Sequence, residues 1–119
     1  MPATVWIVDD DREMAKAIGL MLDLLGWAYR VYLSPRAAGQ ALLREPPPDV
    51  ILLDLNMPQV GGDEFLKFVR SRSRWHRLRV IMLTSEFAET ERARLLKLGA
   101  NEYLTKPVNL EELEQALKG

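Results

Sequence analysis

The residues able to do chemistry stand directly after apolar runs. Asp9 and Asp10 follow Thr4-Val-Trp-Ile-Val8, Asp54 follows Val50-Ile-Leu-Leu53, Thr84 follows Val80-Ile-Met-Leu83, and Lys106 follows Glu102-Tyr-Leu-Thr105. Three carboxylates brought close together repel, so either one takes up a proton or a cation sits among them. A divalent cation is the simpler answer. All-oxygen ligation without His or Cys suits a hard ion, and Mg²⁺ typically takes one or two carboxylates while keeping waters and binding phosphate oxygens. With a divalent cation and Lys106, the three aspartates form a neutral set. A carboxylate nucleophile, a metal, a lysine and a hydroxyl are the parts that phosphoryl transfer to an aspartate needs.

The elements that must position these groups alternate along the chain. A strand at Thr4–Val8 is followed by a helix bearing Met14, Ala17, Ile18, Met21, Leu22 and Leu25 at helical spacing, with Asp11 to cap it and Gly26 to end it. A second strand is expected at about 28–33. Ser34-Pro35 starts a short helix that runs through Leu43 and stops at Pro46-Pro47-Pro48. The third strand, Val50–Leu53, is apolar throughout, as where helices cover both faces of a parallel sheet. Further helices are read from Asp63 to about Arg72, up to Gly99, and from Leu110 onward behind an Asn109 cap with Glu112; strands are read at Val80–Leu83 and Glu102–Thr105.

Five strands alternating with five helices predict an α/β fold with a doubly wound parallel sheet. Ligands bind outside the carboxyl ends of such strands, and four of the strands deliver polar or charged groups to that edge.

Composition narrows the alternatives. The 119 residues are read as one domain, 1–119, and 48% apolar with 28% charged residues is ordinary for a globular chain. Sixteen Lys and Arg against seventeen Asp and Glu give a net charge of −1, so no general affinity for nucleic acid or anionic membrane is expected. Zero Cys and a single His exclude disulfides, thiolate zinc sites and His-rich metal sites. No apolar run approaches a membrane span, no signal core is present, and a cytoplasmic location is expected. There is no glycine-rich nucleotide loop, and no nucleophile elbow to partner His76.

At this point the sequence closely resembles the response-regulator receiver domains of two-component signalling, whose chemotaxis member has the flavodoxin-like strand order 2-1-3-4-5. Asp9 and Asp10 match the acidic pair after the first strand, Asp54 the phosphoacceptor, Thr84 the switch hydroxyl, Tyr103 the switch aromatic, and Lys106-Pro107 the lysine with its cis-proline bond. Met57-Pro58 and Gly62 match the loop after the acceptor. The resemblance covers essentially the whole chain.

The resemblance implies that Asp54 takes a phosphoryl group from a histidine kinase or a histidine phosphotransfer protein. It implies that Mg²⁺ is held by Asp10, Asp54 and the backbone carbonyl of Asn56, with Asp9 acting through a metal-bound water. Thr84 and Lys106 then bind the phosphoryl group, Tyr103 turns inward, and the face made by the fourth helix, fifth strand and fifth helix changes for an unknown downstream effector. Asn56 and Glu86 are the positions that tune phosphoryl lifetime, and both being polar implies a short one. Gly61 departs from the usual Asp of the loop, and Ala116 replaces the Arg common in receivers that dimerise to activate winged-helix domains.

Other readings compete. Asp11 is a helix cap before it is a ligand. Arg70, Arg72, Arg74, Arg77 and Arg79 are read as a solvated connection rather than a nucleic-acid stripe, with Trp75 a possible partner contact and Trp6 and Trp27 as packing residues. Asp9-Asp10-Asp11 also fits the opening of a haloacid-dehalogenase-like phosphatase, but Asp54 then has no role. A receiver-shaped interaction module that is never phosphorylated is the remaining alternative.

Overall fold

The computed structural model describes residues 3–86 and 88–119. Five strands, β1 (Thr4–Val8), β2 (Ala28–Tyr32), β3 (Val50–Asp54), β4 (Arg79–Thr84) and β5 (Glu102–Thr105), alternate with α1 (Arg12–Leu24), α2 (Pro35–Arg44), α3 (Gly62–Arg70), α4 (Glu89–Leu98) and α5 (Leu110–Lys118). The sheet is parallel in the order β2-β1-β3-β4-β5. This is the fold expected from the alternation, with α3 starting one residue and ending two residues away from its sequence-based bounds.

Strand residues alternate between two apolar layers, as period-two geometry requires. Val5, Ile7, Val50, Leu52, Ile81 and Leu83 pack with α1 and α5, while Trp6, Val8, Ile51, Leu53, Val80 and Met82 pack with α2, α3 and α4. Every residue of β3 is buried, so each of its larger side chains contributes on the order of 2 kcal/mol. Ala17 lies exposed, and Ala15 takes the inward position on α1. Gly26 and Gly99 follow α1 and α4 with φ of 84° and 116°, a backbone that L side chains rarely adopt.

The arginine-rich connection differs from its sequence reading. A 3-10 turn at Ser73–Trp75 interrupts it, and Trp75 is buried against Phe68, with ring centres 5.4 Å apart. It is therefore a packing residue, like Trp6. Arg70 turns inward, donating from Nε to the Gly99 carbonyl (2.9 Å), from Nη1 to the Trp75 carbonyl (3.0 Å) and from Nη2 to Asn101 Oδ1 (2.8 Å). Asn101 Oδ1 also accepts from the Val80 amide at 2.8 Å. One guanidinium thus ties the ends of α3 and α4 to the start of β5. Burial lowers the Arg70 pKa, and the rigid donor fork is what lets one cation serve three acceptors. Arg79 donates from Nη2 to the Ala116 carbonyl at 2.8 Å, closing the last turn of α5. Only Arg72, Arg74 and Arg77 of this run are exposed.

Candidate acidic site at the carboxyl edge of the sheet

Strand register brings the chemistry together. Val8 pairs with Leu53, Asp54 with Leu83, and Thr84 with Thr105, so β1, β3, β4 and β5 end on neighbouring rungs. The residues that follow the apolar runs therefore share one edge. Asp9 is buried and Asp10 exposed, with Asp54 and Thr84 the buried last residues of β3 and β4. One oxygen from each of Asp9, Asp10 and Asp54 lies within 4.8 Å of the others.

Lys106 crosses the cluster. Its Nζ donates to Asp9 Oδ2 at 3.0 Å and to Asp54 Oδ1 at 3.1 Å. The other oxygen of Asp9 accepts from the Asp11 amide at 3.0 Å, which fixes the carboxylate plane. Asp11 itself caps α1, accepting from the amides of Glu13 and Met14 at 3.0 and 3.1 Å, and takes no place in the cluster. Burial first, and then the charge of Asp9, raises the Asp54 pKa against the opposing pull of Lys106. Burial works against the Lys106 ammonium, but its bonds to Asp9 and Asp54 outweigh it and hold its pKa high. One lysine does not neutralise three carboxylates. The net negative charge left on the three carboxylates is what a hard divalent cation relieves, so the donor set fits Mg²⁺.

The surrounding loops explain other residues. The Asn56 amide faces Asp54 Oδ1 at 3.5 Å, with the Asn56 side chain exposed. A Cβ on Gly62 would lie 2.3 Å from the Asp54 carbonyl oxygen, so the first turn of α3 can pack on the end of β3 only with glycine. Pro58 is exposed in the intervening loop, where the Val60 amide donates to its carbonyl at 2.8 Å and Gln59 is left with a φ of 70°. Gly61 gives α3 no side-chain cap. The Lys106–Pro107 bond is cis, as the resemblance implied.

Thr84 Oγ1 accepts from the Glu86 amide at 3.2 Å, and the Tyr103 hydroxyl donates to the Glu86 carbonyl at 2.7 Å. The Tyr103 ring is buried. The Glu86 side chain is exposed. The site residues read from the sequence thus lie at this edge or in its loops. The sequence reading missed Arg70, Arg79 and the backbone of Gln59; an arginine in the last turn of a helix was the available signal for the first, and the others had none.

The family description "Response regulator receiver domain" matches residues 5–118. The chain is 38% identical over 110 residues to transcriptional regulatory protein CpxR of Escherichia coli, covering 92% of this chain and 45% of CpxR. It is 31% identical over 118 residues to the phosphate regulon transcriptional regulatory protein PhoB of the same organism, covering 99% of this chain and 51% of PhoB. It spans about half the length of these two relatives and 17% of protein RcaC of Microchaete diplosiphon, another match. Among solved structures, chemotaxis protein CheY4 of Vibrio cholerae superposes with a TM-score of 0.88 at 31% identity, covering 99% of this chain and 98% of CheY4. A putative response regulator from Chloroflexus aurantiacus gives 0.92 at 31% identity, with 99% and 96% covered. With the strand order and acidic edge already in place, the match over residues 5–118 identifies the chain as a member of the response-regulator receiver domain family of two-component signalling.

Proposed function

We propose that Asp54 is a phosphoacceptor that takes its phosphoryl group from a phosphohistidine on a partner kinase or histidine phosphotransfer protein. The observation that carries this reading is Lys106, bonded at once to Asp9 and Asp54 within a three-carboxylate cluster. An Asp54 oxygen forms the new bond to phosphorus as the bond from phosphorus to the imidazole nitrogen breaks. The carboxylate is its own nucleophile and needs no general base.

Lys106 stands where it can follow the charge onto the phosphoryl oxygens, and the Thr84 hydroxyl, whose oxygen accepts from the Glu86 amide, keeps its own O–H as a second donor. Asp10 and Asp54, with Asn56 through its backbone carbonyl, would hold Mg²⁺, and Asp9 would act through water. When bound, the ion offsets charge on the transferring oxygens. The chain is a phosphoacceptor that assists its own phosphorylation and dephosphorylation rather than an enzyme acting on a separate substrate.

Thr84 and Tyr103 both hold the backbone of Glu86, just ahead of α4. Only Leu95 of α4 is buried, which leaves this helix the least anchored of the five and suits it to report the change. The output face is α4, β5 and α5, read by a protein effector without direct nucleic-acid contact by this chain. Ala116 is buried and its carbonyl is taken by Arg79, so this position offers no cation for dimerisation. Exposed polar Asn56 and Glu86 leave water a path to the phosphoryl group, giving a lifetime well short of hours.

The test is intact-protein mass after incubation with acetyl phosphate and Mg²⁺, beside Asp54→Ala and a chelated sample. A phosphoryl adduct that needs both Asp54 and Mg²⁺ is the expected result. Absence of an adduct would turn the reading to an unphosphorylated interaction module.

A further inference from the structure

The connection between α3 and β4 holds a charge pattern that the acidic site does not use. No Asp or Glu stands between Glu64 and Glu86, whereas Lys67, Arg70, Arg72, Arg74, Arg77 and Arg79 all fall there. Arg70 and Arg79 are spent on the fold. Arg72 and Arg74 are exposed and, among the described residues, form neither a hydrogen bond nor a salt bridge through their side chains.

Their placement is nevertheless defined. The Arg74 guanidinium carbon lies 4.7 Å from the ring centre of buried Trp75, and that of Arg72 lies 5.8 Å from the same ring and 5.4 Å from Phe68. Sharing one indole, the two cations are at most about 10.5 Å apart, the sum of the two Trp75 distances. Stacking holds a guanidinium plane while leaving its N–H edges free, the arrangement that receives a carboxylate through two parallel bonds. Two like charges held together without a counter-charge gain from an anionic partner.

We propose that Arg72 and Arg74, stacked on Trp75 with Arg77 beside them in sequence, form a docking surface for an acidic segment of a partner protein. In an extended segment, alternate carboxylates repeat at about 7 Å, within the spread of the two guanidinium groups. The small size of the patch favours a peptide over nucleic acid, whose affinity builds on many phosphate contacts, and a net charge of −1 over the whole chain, this connection included, leaves no continuing basic track. The surface belongs to the edge of the sheet opposite Asp54. Arg79 and Val50 begin β4 and β3 there, so binding leaves the acidic site free.

The test uses fluorescently labelled octaglutamate at low ionic strength, followed by anisotropy, with the protein, with Arg72→Gln/Arg74→Gln, and with Arg36→Gln/Arg44→Gln as an equal charge change elsewhere. Both pairs are exposed, and thermal melts check that both variants remain folded. The proposal expects octaglutamate to bind, to weaken with added salt, to lose about tenfold or more in affinity in the Arg72/Arg74 variant, and to be unaffected in the Arg36/Arg44 variant. No binding, or equal loss in both variants, overturns it. A duplex oligonucleotide that competes more strongly than unlabelled octaglutamate at equal charge overturns the choice of a protein partner. Acetyl phosphate labelling of Asp54 is read separately, so neither proposal depends on the other.

Discussion

Tyr103 and Thr84 are joined through the backbone of one residue: the tyrosine hydroxyl donates to the Glu86 carbonyl and the threonine hydroxyl accepts from the Glu86 amide. Under the proposed phosphorylation, drawing the Thr84 hydroxyl toward the phosphoryl group would pull on the residue that Tyr103 also holds. The two bonds link the end of β4 to β5 through Glu86, three residues before α4 begins.

Replacing Tyr103 by Phe keeps the buried ring and removes one bond to a backbone carbonyl. The expected loss is about 1 kcal/mol, lowering Tm by roughly 4 °C. Thermal denaturation measures it, and the Asp54 adduct should still form. A variant that no longer accepts a phosphoryl group would place Tyr103 in the chemistry itself.

The raised pKa of Asp54 carries a definite sign. The native state holds the Asp54 proton more tightly than the unfolded chain, so the stability tied to it is present below the unfolded carboxylate value and lost as pH rises through the native one. Without metal at neutral pH, Asp54→Asn should therefore be more stable than the parent, with the gap closing as pH falls. Millimolar Mg²⁺ should reverse the order by stabilising only the parent. Melts with and without Mg²⁺ at neutral and acidic pH decide it.

On acidification, acetyl phosphate labelling should fall off at a higher pH in limiting Mg²⁺ than in excess Mg²⁺, because the shift that protonates the Asp54 nucleophile early is the one the cation opposes. Labelling rates across a pH series at limiting and saturating Mg²⁺ test this. A fall-off at the same pH in both would show that the cation does not act on Asp54.

Arg70→Lys should cost about 2–3 kcal/mol, since one ammonium cannot reproduce three divergent bonds. The loss should be local. Hydrogen exchange should quicken first at Ala100 and Asn101, whose amides bond to Leu95 and Val80 beside the clamp.

Gln59 sits at positive φ, which suits glycine. Gln59→Gly should be neutral to stabilising by less than about 1 kcal/mol, whereas Gln59→Val should destabilise by about that amount. Chemical denaturation of both variants measures the backbone strain beside the acceptor.

Much of this architecture is readable from residue order because strand and helix periods alternate cleanly and each apolar run ends in a polar group. Val50–Leu53 declares a strand covered on both faces, and Asp54 then falls at its carboxyl end. Arg70 was not readable in this way. Its acceptors at Gly99 and Asn101 are about thirty residues away and become neighbours only when α3 and α4 pack, so a run of arginines looks solvated until the fold closes around it. Trp75 was hidden for the same reason, and Gln59 because nothing in a glutamine signals a left-handed backbone.

The Arg70 clamp also gives α4 a mechanical asymmetry. Its last turn is pinned through Gly99, whereas its first turn begins at Ala88 with no side-chain cap, two residues beyond Glu86. The exposed pair between Arg94 and Asp63 adds only a weak tether along its length. The helix is thus tethered at its far end and loose at the end nearer Glu86, so its amide protons should exchange faster over the first turn than over the last.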